Sequence, residues 1–130
     1  MKRIFILGIL CLLLCSCGDS KKEDSSLDKE DTSKVTCVEM KNMLQDEDAI
    51  LIDVRTTDEY KESHLDDAIH LDYQTIEKTI GSKVQNKDTK IIVYCRSGQR
   101  SAIARETLEQ LGYTEVYDLG SIENCYKSPR

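Results

Sequence analysis

The chain of 130 residues has no Trp, one Phe, one Pro and two His. His64, His70 and the scattered cysteines form no ligand-like spacing, which excludes a metal site of the zinc type. Positive charge is also short: 18 Lys and Arg face 24 Asp and Glu, a formal charge of −6. That balance argues against nucleic acid or an anionic lipid surface as a ligand. The apolar run Ile4 to Leu14 is only 11 residues, too short to span a bilayer as a helix. Internal repeats are absent, and the single proline is Pro129.

The first thing present is an export signal. Lys2 and Arg3 precede the apolar run, which ends in Leu14-Cys15-Ser16-Cys17. This pattern resembles the lipobox of bacterial lipoproteins, although Cys15 replaces a smaller residue. The resemblance implies a signal over residues 1–17 and lipid on Cys17. The protein is then expected in the bacterial cell envelope, facing away from the cytoplasm and touching the membrane through that lipid alone. Residues 18–34 carry six acids, four lysines and one apolar residue, Leu27. Such a stretch cannot bury enough surface to fold and reads as a solvated tether, at most about 55–60 Å long when stretched. Removing Lys2 and Arg3 leaves a formal charge of −8.

The remaining residues, 35–130, are enough for one domain. Thr36 caps a helix through Gln45, Ala49–Val54 forms a strand, and Thr56 or Thr57 caps a short helix around Asp58–Lys61. Ile69–Leu71 is a brief strand, and Tyr73–Ile80 a helix closed by Gly81. A strand from Ile91 leads to Cys95, a helix runs from Ser101 to Leu111 before Gly112, and Tyr113–Leu119 holds the last strand. Strand and helix alternate throughout, predicting an α/β fold: a parallel sheet of about five strands with helices on both faces.

The chemistry concentrates between the third strand and the following helix, in Cys95-Arg96-Ser97-Gly98-Gln99-Arg100-Ser101. In a strand–loop–helix of this kind, backbone N–H groups curl around one point at the positive end of the helix dipole. A Cys at the base of that cradle is stabilised as thiolate, and Arg96 and Arg100 add positive charge. A second group, Asp53, Arg55 and Glu59, follows another strand end, where sites in parallel sheets gather. Arg55 paired with Asp53 or Glu59 would lock its loop. His64 suits a turn held by hydrogen bonds, and His70 reads as a plain strand residue.

The Cys95–Ser101 loop resembles the active-site loop of the rhodanese-like sulfurtransferases. Leu51-Ile52-Asp53-Val54-Arg55-Thr56-Thr57-Asp58-Glu59-Tyr60 and His64-Leu65-Asp66-Asp67-Ala68-Ile69-His70-Leu71 resemble that family's second motif, about 40 residues upstream and in the expected order. The resemblance covers Val35 to the C-terminus. It implies that Asp53, Arg55 and Glu59 support the loop. It also implies that Cys95 takes sulfane sulfur as a persulfide and passes it on, with no cofactor. The donor would be a small anion such as thiosulfate, held by Arg96 or Arg100. The acceptor would be cyanide or a thiol, including a protein thiol, and the enzyme a monomer. Ser63 and Asp67 replace glycines of the family pattern, and the C-terminal Gly-Gly…Trp is reduced to Gly120-Ser121 without a Trp. If the first and last strands are neighbours, as in the family, Cys37 and Cys125 come close enough for a disulfide.

Two rival readings remain. A phosphatase or arsenate reductase needs an Arg six residues after its Cys; here Ser101 holds that position and Arg100 comes one early. A non-enzymatic rhodanese-like module for binding or redox signalling often lacks the loop Cys, which is present here. The lipobox reading has its own test. Cys17→Ser should move the protein from the membrane fraction to the soluble one, or block its processing; unchanged membrane association would mean a different anchor.

Overall fold

The computed structural model describes residues 31–126. The signal segment with Cys17, and the tether as far as residue 30, lie outside the described residues. Nine elements alternate: α1 (Cys37–Met43), β1 (Ile50–Asp53), α2 (Thr57–Glu62), β2 (Ile69–His70), α3 (Ile76–Lys83), β3 (Ile91–Cys95), α4 (Gln99–Gln110), β4 (Val116–Ser121) and α5 (Glu123–Tyr126). The strands form one parallel sheet in the order β2-β1-β3-β4.

The sheet is organised by β3, whose five residues are all fully buried. Its β-branched side chains suit a strand flanked on both sides and covered on both faces. Side chains alternate across a strand, so Ile91, Val93 and Cys95 enter one apolar cluster with Ile76 and Ile80 of α3 and Ala104 and Leu108 of α4. Ile92 and Tyr94 enter the other, with Cys37 and Met40 of α1 and Leu119 and Ile122. Cys95 therefore ends its strand on the face that α4 covers.

Two helices begin with reciprocal capping boxes. Thr36 Oγ1 accepts from the Glu39 amide, and the Glu39 carboxylate accepts from the Thr36 amide at 2.7 Å. Thr56 and Glu59 repeat the arrangement at α2, so Thr56 rather than Thr57 is the cap.

The structure departs from the sequence expectations where long-range packing overrides local signals. Helix α3 begins at Ile76 instead of Tyr73 and runs through Gly81 to Lys83, because Ile76, Ile80 and Val84 continue the buried stripe past the glycine. Helix α1 stops at Met43, short of Gln45. Helix α4 starts at Gln99, two residues before Ser101, with Gly98 as its cap at φ +93°. Strand β4 begins at Val116, because Tyr113 is held aside by its hydroxyl, which donates to the Val84 carbonyl.

The sheet has four strands, and the fifth position is a single bridge between Lys34 and Asp118. Residues 31–34, assigned to the tether from their polarity, instead lie against the domain. The Asp118 amide donates to Ser33 O at 2.8 Å, the Val35 amide to Asp118 O at 3.0 Å, and Arg105 pairs with Asp31. Strand β1 is separated from β4 by β3, so the two strands are not neighbours; yet Cys37 and Cys125 are bonded, with Cα atoms 5.1 Å apart.

Gly81 is exposed, sits inside a helix and has nothing within 4 Å of where a Cβ would stand. Gly81→Ala should stabilise the fold by about 0.5–1 kcal/mol, by removing backbone freedom from the unfolded chain. The measurement is a higher urea midpoint at unchanged slope.

Candidate active site

The turn from β3 into α4 is three residues, Arg96-Ser97-Gly98. It closes tightly enough that the Gly98 amide meets the Cys95 Sγ at 3.0 Å. Gly98 can do this because its φ of +93° lies in the left-handed region that L side chains rarely adopt. Ser101, fully buried on the first turn of α4, brings its hydroxyl to 3.6 Å from the same sulfur while donating to Gly98 O at 3.1 Å. Cys95 itself is 0 % exposed. The sulfur accepts from the Gly98 amide, its own proton faces the Ser101 hydroxyl, and its strand packs in the apolar cluster under α3 and α4.

The three arginines near the sulfur have different duties. Arg55 is buried and grips Asp53 through Nε at 2.9 Å and Nη2 at 2.6 Å, while Nη2 also donates to Ser63 O at 2.6 Å. The Asp53 carboxylate, by that hydrogen bond, raises the Arg55 guanidinium above its ordinary value. Of the two partners open to Arg55, the structure selects Asp53. Arg100 gives both terminal nitrogens to Glu59, at 2.7 and 2.9 Å. That bond holds the Glu59 carboxyl well below the usual carboxylate range. Arg96 is exposed and has no hydrogen bond or ion pair from its guanidinium among the described residues.

Other groups complete the rim. Tyr94 is fully buried, its hydroxyl accepts from the Leu65 amide at 3.1 Å, and burial pushes the phenol above its ordinary value. His64 hydrogen-bonds through Nδ1 to Tyr60 O at 2.8 Å, the turn-holding role its position suggests. His70 is more than a plain strand residue, because its Nε2 meets Arg55 O at 2.7 Å. A cavity of about 320 Å³ opens beside the loop, lined by Arg55, Glu59, Arg96, Ile122 and Tyr126 among others. Among the described residues no group of three His, Cys, Asp or Glu is placed to hold a metal.

Sequence reasoning missed two things. The Glu59–Arg100 pair spans 41 positions, and nothing local to either residue announces it. Ser121 and Ile122 are also part of the loop's support: Ser121 Oγ donates to Arg96 O at 2.5 Å, and the Ile122 amide donates to Cys95 O at 2.8 Å. The one available signal was the Gly120-Ser121 remnant after the last strand.

A parallel α/β domain with a thiol in a strand–loop–helix cradle is the class these features define. The Rhodanese-like domain profile matches residues 36–127, and the chain belongs to that family. It is 33% identical over 73 residues to the thiosulfate sulfurtransferase PspE of Escherichia coli (strain K12), across 56% of this chain and 70% of that protein. It is 32% identical over 101 residues to the tRNA uridine(34) hydroxylase of Erwinia tasmaniensis, across 74% of this chain but only 29% of the hydroxylase. A solved structure described as a rhodanese with anions from E. coli superposes with a TM-score of 0.57 at 32% identity, over 58% of this chain and 89% of that one.

The Glu59–Arg100 pair should be measurable through its pH dependence. Glu59 has a depressed folded value, so its contribution is complete above the ordinary 4.5 and is lost as pH falls through the folded value. Glu59→Gln keeps the capping acceptor and removes the ion pair. It should cost about 1–2 kcal/mol at pH 7, and the cost should shrink in urea melts as pH falls below 4.5.

Proposed function

We propose that the protein is a sulfurtransferase that carries sulfane sulfur on Cys95. The observation that carries this reading is the Gly98 amide on the Cys95 sulfur at the mouth of α4, in a loop too short for a phosphate cradle. The Cys95 thiolate attacks the outer sulfur of thiosulfate, and the sulfur–sulfur bond breaks. Sulfite leaves with its electron pair, and Cys95 becomes a persulfide. A nucleophile, cyanide or a thiolate, then attacks the outer sulfur and returns Cys95 to the thiolate. No proton need move at the sulfur in either step, which suits a site without a committed base. The donors that stabilise the thiolate also serve the anionic outer sulfur of the intermediate.

Donor capture falls to Arg96, because Arg55 and Arg100 are committed to carboxylates. Arg100, turned toward Glu59, fixes the loop from outside. The same commitment disfavours a phosphatase, which needs its loop arginine on the substrate. Two facts favour a small substrate over tRNA: the hydroxylases match over less than a third of their length, and the formal charge of −6 has the wrong sign. We place the protein in the cell envelope, anchored by lipid on Cys17. The N-terminal pattern supports this, as does a disulfide of the kind that persists in oxidising compartments.

Cys95→Ser should abolish sulfur transfer from thiosulfate to cyanide while leaving the fold intact. Protein incubated with thiosulfate should carry the mass of one extra sulfur on Cys95. Arg96→Ala should raise the KM for thiosulfate about tenfold or more, the worth of a charged hydrogen bond, with kcat nearly unchanged. Absence of transfer with every sulfane donor would overturn the reading. So would Cys95-dependent hydrolysis of an aryl phosphate.

A further inference from the structure

We propose that the Cys37–Cys125 disulfide is a positioning element of the active site as well as a staple. Through Ser121 and Ile122 it fixes the two peptide planes that follow the reactive sulfur. The proposal rests on Cys95 being the reactive thiol.

The chain of contacts is continuous. Helix α5 is four residues long and buries none of them, far below the length at which a helix sustains itself. Besides the hydrogen bonds at its start, its anchors include Ile122 just before it, buried at 5 % exposure, the Asn124 side-chain amide donating to Leu119 O at 3.0 Å, and the bond from Cys125 to Cys37. Cys37 opens α1, which is itself fixed by the Thr36–Glu39 capping box and by buried Met40. The position of α5 is therefore referred back to α1 and the sheet.

The end of β4, where Ser121 is the register partner of Cys95, and its junction with α5 then reach the site. The Ser121 hydroxyl accepts from the Glu123 amide at 3.2 Å and spends its one proton on Arg96 O at 2.5 Å. The next amide, Ile122, donates to Cys95 O at 2.8 Å. Both consecutive carbonyls of the loop are thus held by the α5 junction. A trans peptide is planar with its C=O and N–H antiparallel. Fixing Cys95 O and Arg96 O toward α5 therefore turns the Arg96 and Ser97 amides away from it. The Gly98 amide that follows them is on Sγ at 3.0 Å, so rotation of these two peptide planes alters the backbone that carries that donor. If α5 drifts, Ser121 loses its acceptor role, its proton is free to point elsewhere, and both peptides can rotate.

A purely stabilising disulfide would leave the folded active site unchanged when removed. A positioning one would not. Three variants of the purified protein are compared well below their melting temperatures: Cys37→Ala/Cys125→Ala, Ser121→Ala and Ser121→Thr. The readouts are kcat and KM for thiosulfate, and the iodoacetamide alkylation rate of Cys95 at neutral pH, resolved by peptide mass mapping. The double variant and Ser121→Ala should each lose about tenfold or more in kcat and in alkylation rate, since a misplacement on the order of 1 Å costs up to ~10²-fold. KM should change little, and Ser121→Thr should keep the wild-type values. A folded double variant with wild-type kcat and alkylation would overturn the proposal. If the double variant fails to fold, Ser121→Ala decides with the disulfide intact: wild-type behaviour overturns the proposal, and the loss supports it. Alkylation that falls in these variants of a protein showing no sulfur transfer would sink the proposed function and leave the positioning role standing.

Discussion

The buried sulfur of Cys95 is met by a backbone donor in the turn between β3 and α4, the Gly98 amide 3.0 Å from Sγ. The remaining architecture follows from keeping that short turn in place. A strand buried along its whole length fixes one end, and a helix of twelve residues fixes the other. Between them the chain must reverse in three residues, which is why Gly98 adopts a left-handed φ and lies against Gly120. The bulge between β3 and β4, where Val93 faces Asp118 and Tyr94 faces Gly120, sets that contact.

Charge is handled by the same economy of movement. Burying Asp53 and Arg55 costs several kcal/mol of desolvation per ion, offset by their bidentate contact and by the Ser63 carbonyl. Such a pair is a poor source of stability, but it has one geometry, and it ties the end of β1 to the chain after α2. Glu59 does the corresponding work on the other side. It completes the α2 cap and holds Arg100, so α2 and α4 share one carboxylate. Arg96 is exposed, and its guanidinium has no hydrogen bond or ion pair among the described residues.

The features legible in the sequence are those that local chemistry dictates. Three β-branched residues before Tyr94 and Cys95 announced β3. Thr36, and Thr56 or Thr57, announced two helix starts. The Cys-Arg-Ser-Gly loop announced the cradle. The parallel α/β class followed from the alternation of such elements. What stayed hidden depends on partners far away in the chain. Gly81 looked like a stop because its local cost is real, yet burial of Val84 one turn on outweighs it. Residues 31–34 looked like tether because they are polar, yet backbone hydrogen bonds to β4 need no apolar side chain. Arg100 looked like a ligand for substrate because its carboxylate partner lies 41 residues upstream.

The two faces of the sheet are not covered equally, and this accounts for the disulfide. One face carries α3 and α4, of eight and twelve residues, with a continuous stripe of buried Ile, Ala and Leu. The other carries α1 and α5, of seven and four residues, in a chain with no Trp to fill the gap. Neither short helix could be held by its own propensity. Joining them makes a single cover from two pieces, and a closed loop of 88 residues removes about 4 kcal/mol of unfolded-state freedom on the chain-entropy account. The weaker face is also the one from which Ser121 and Ile122 reach the loop. Where a longer α5 would have held those two residues by packing, this chain holds them with a covalent bond.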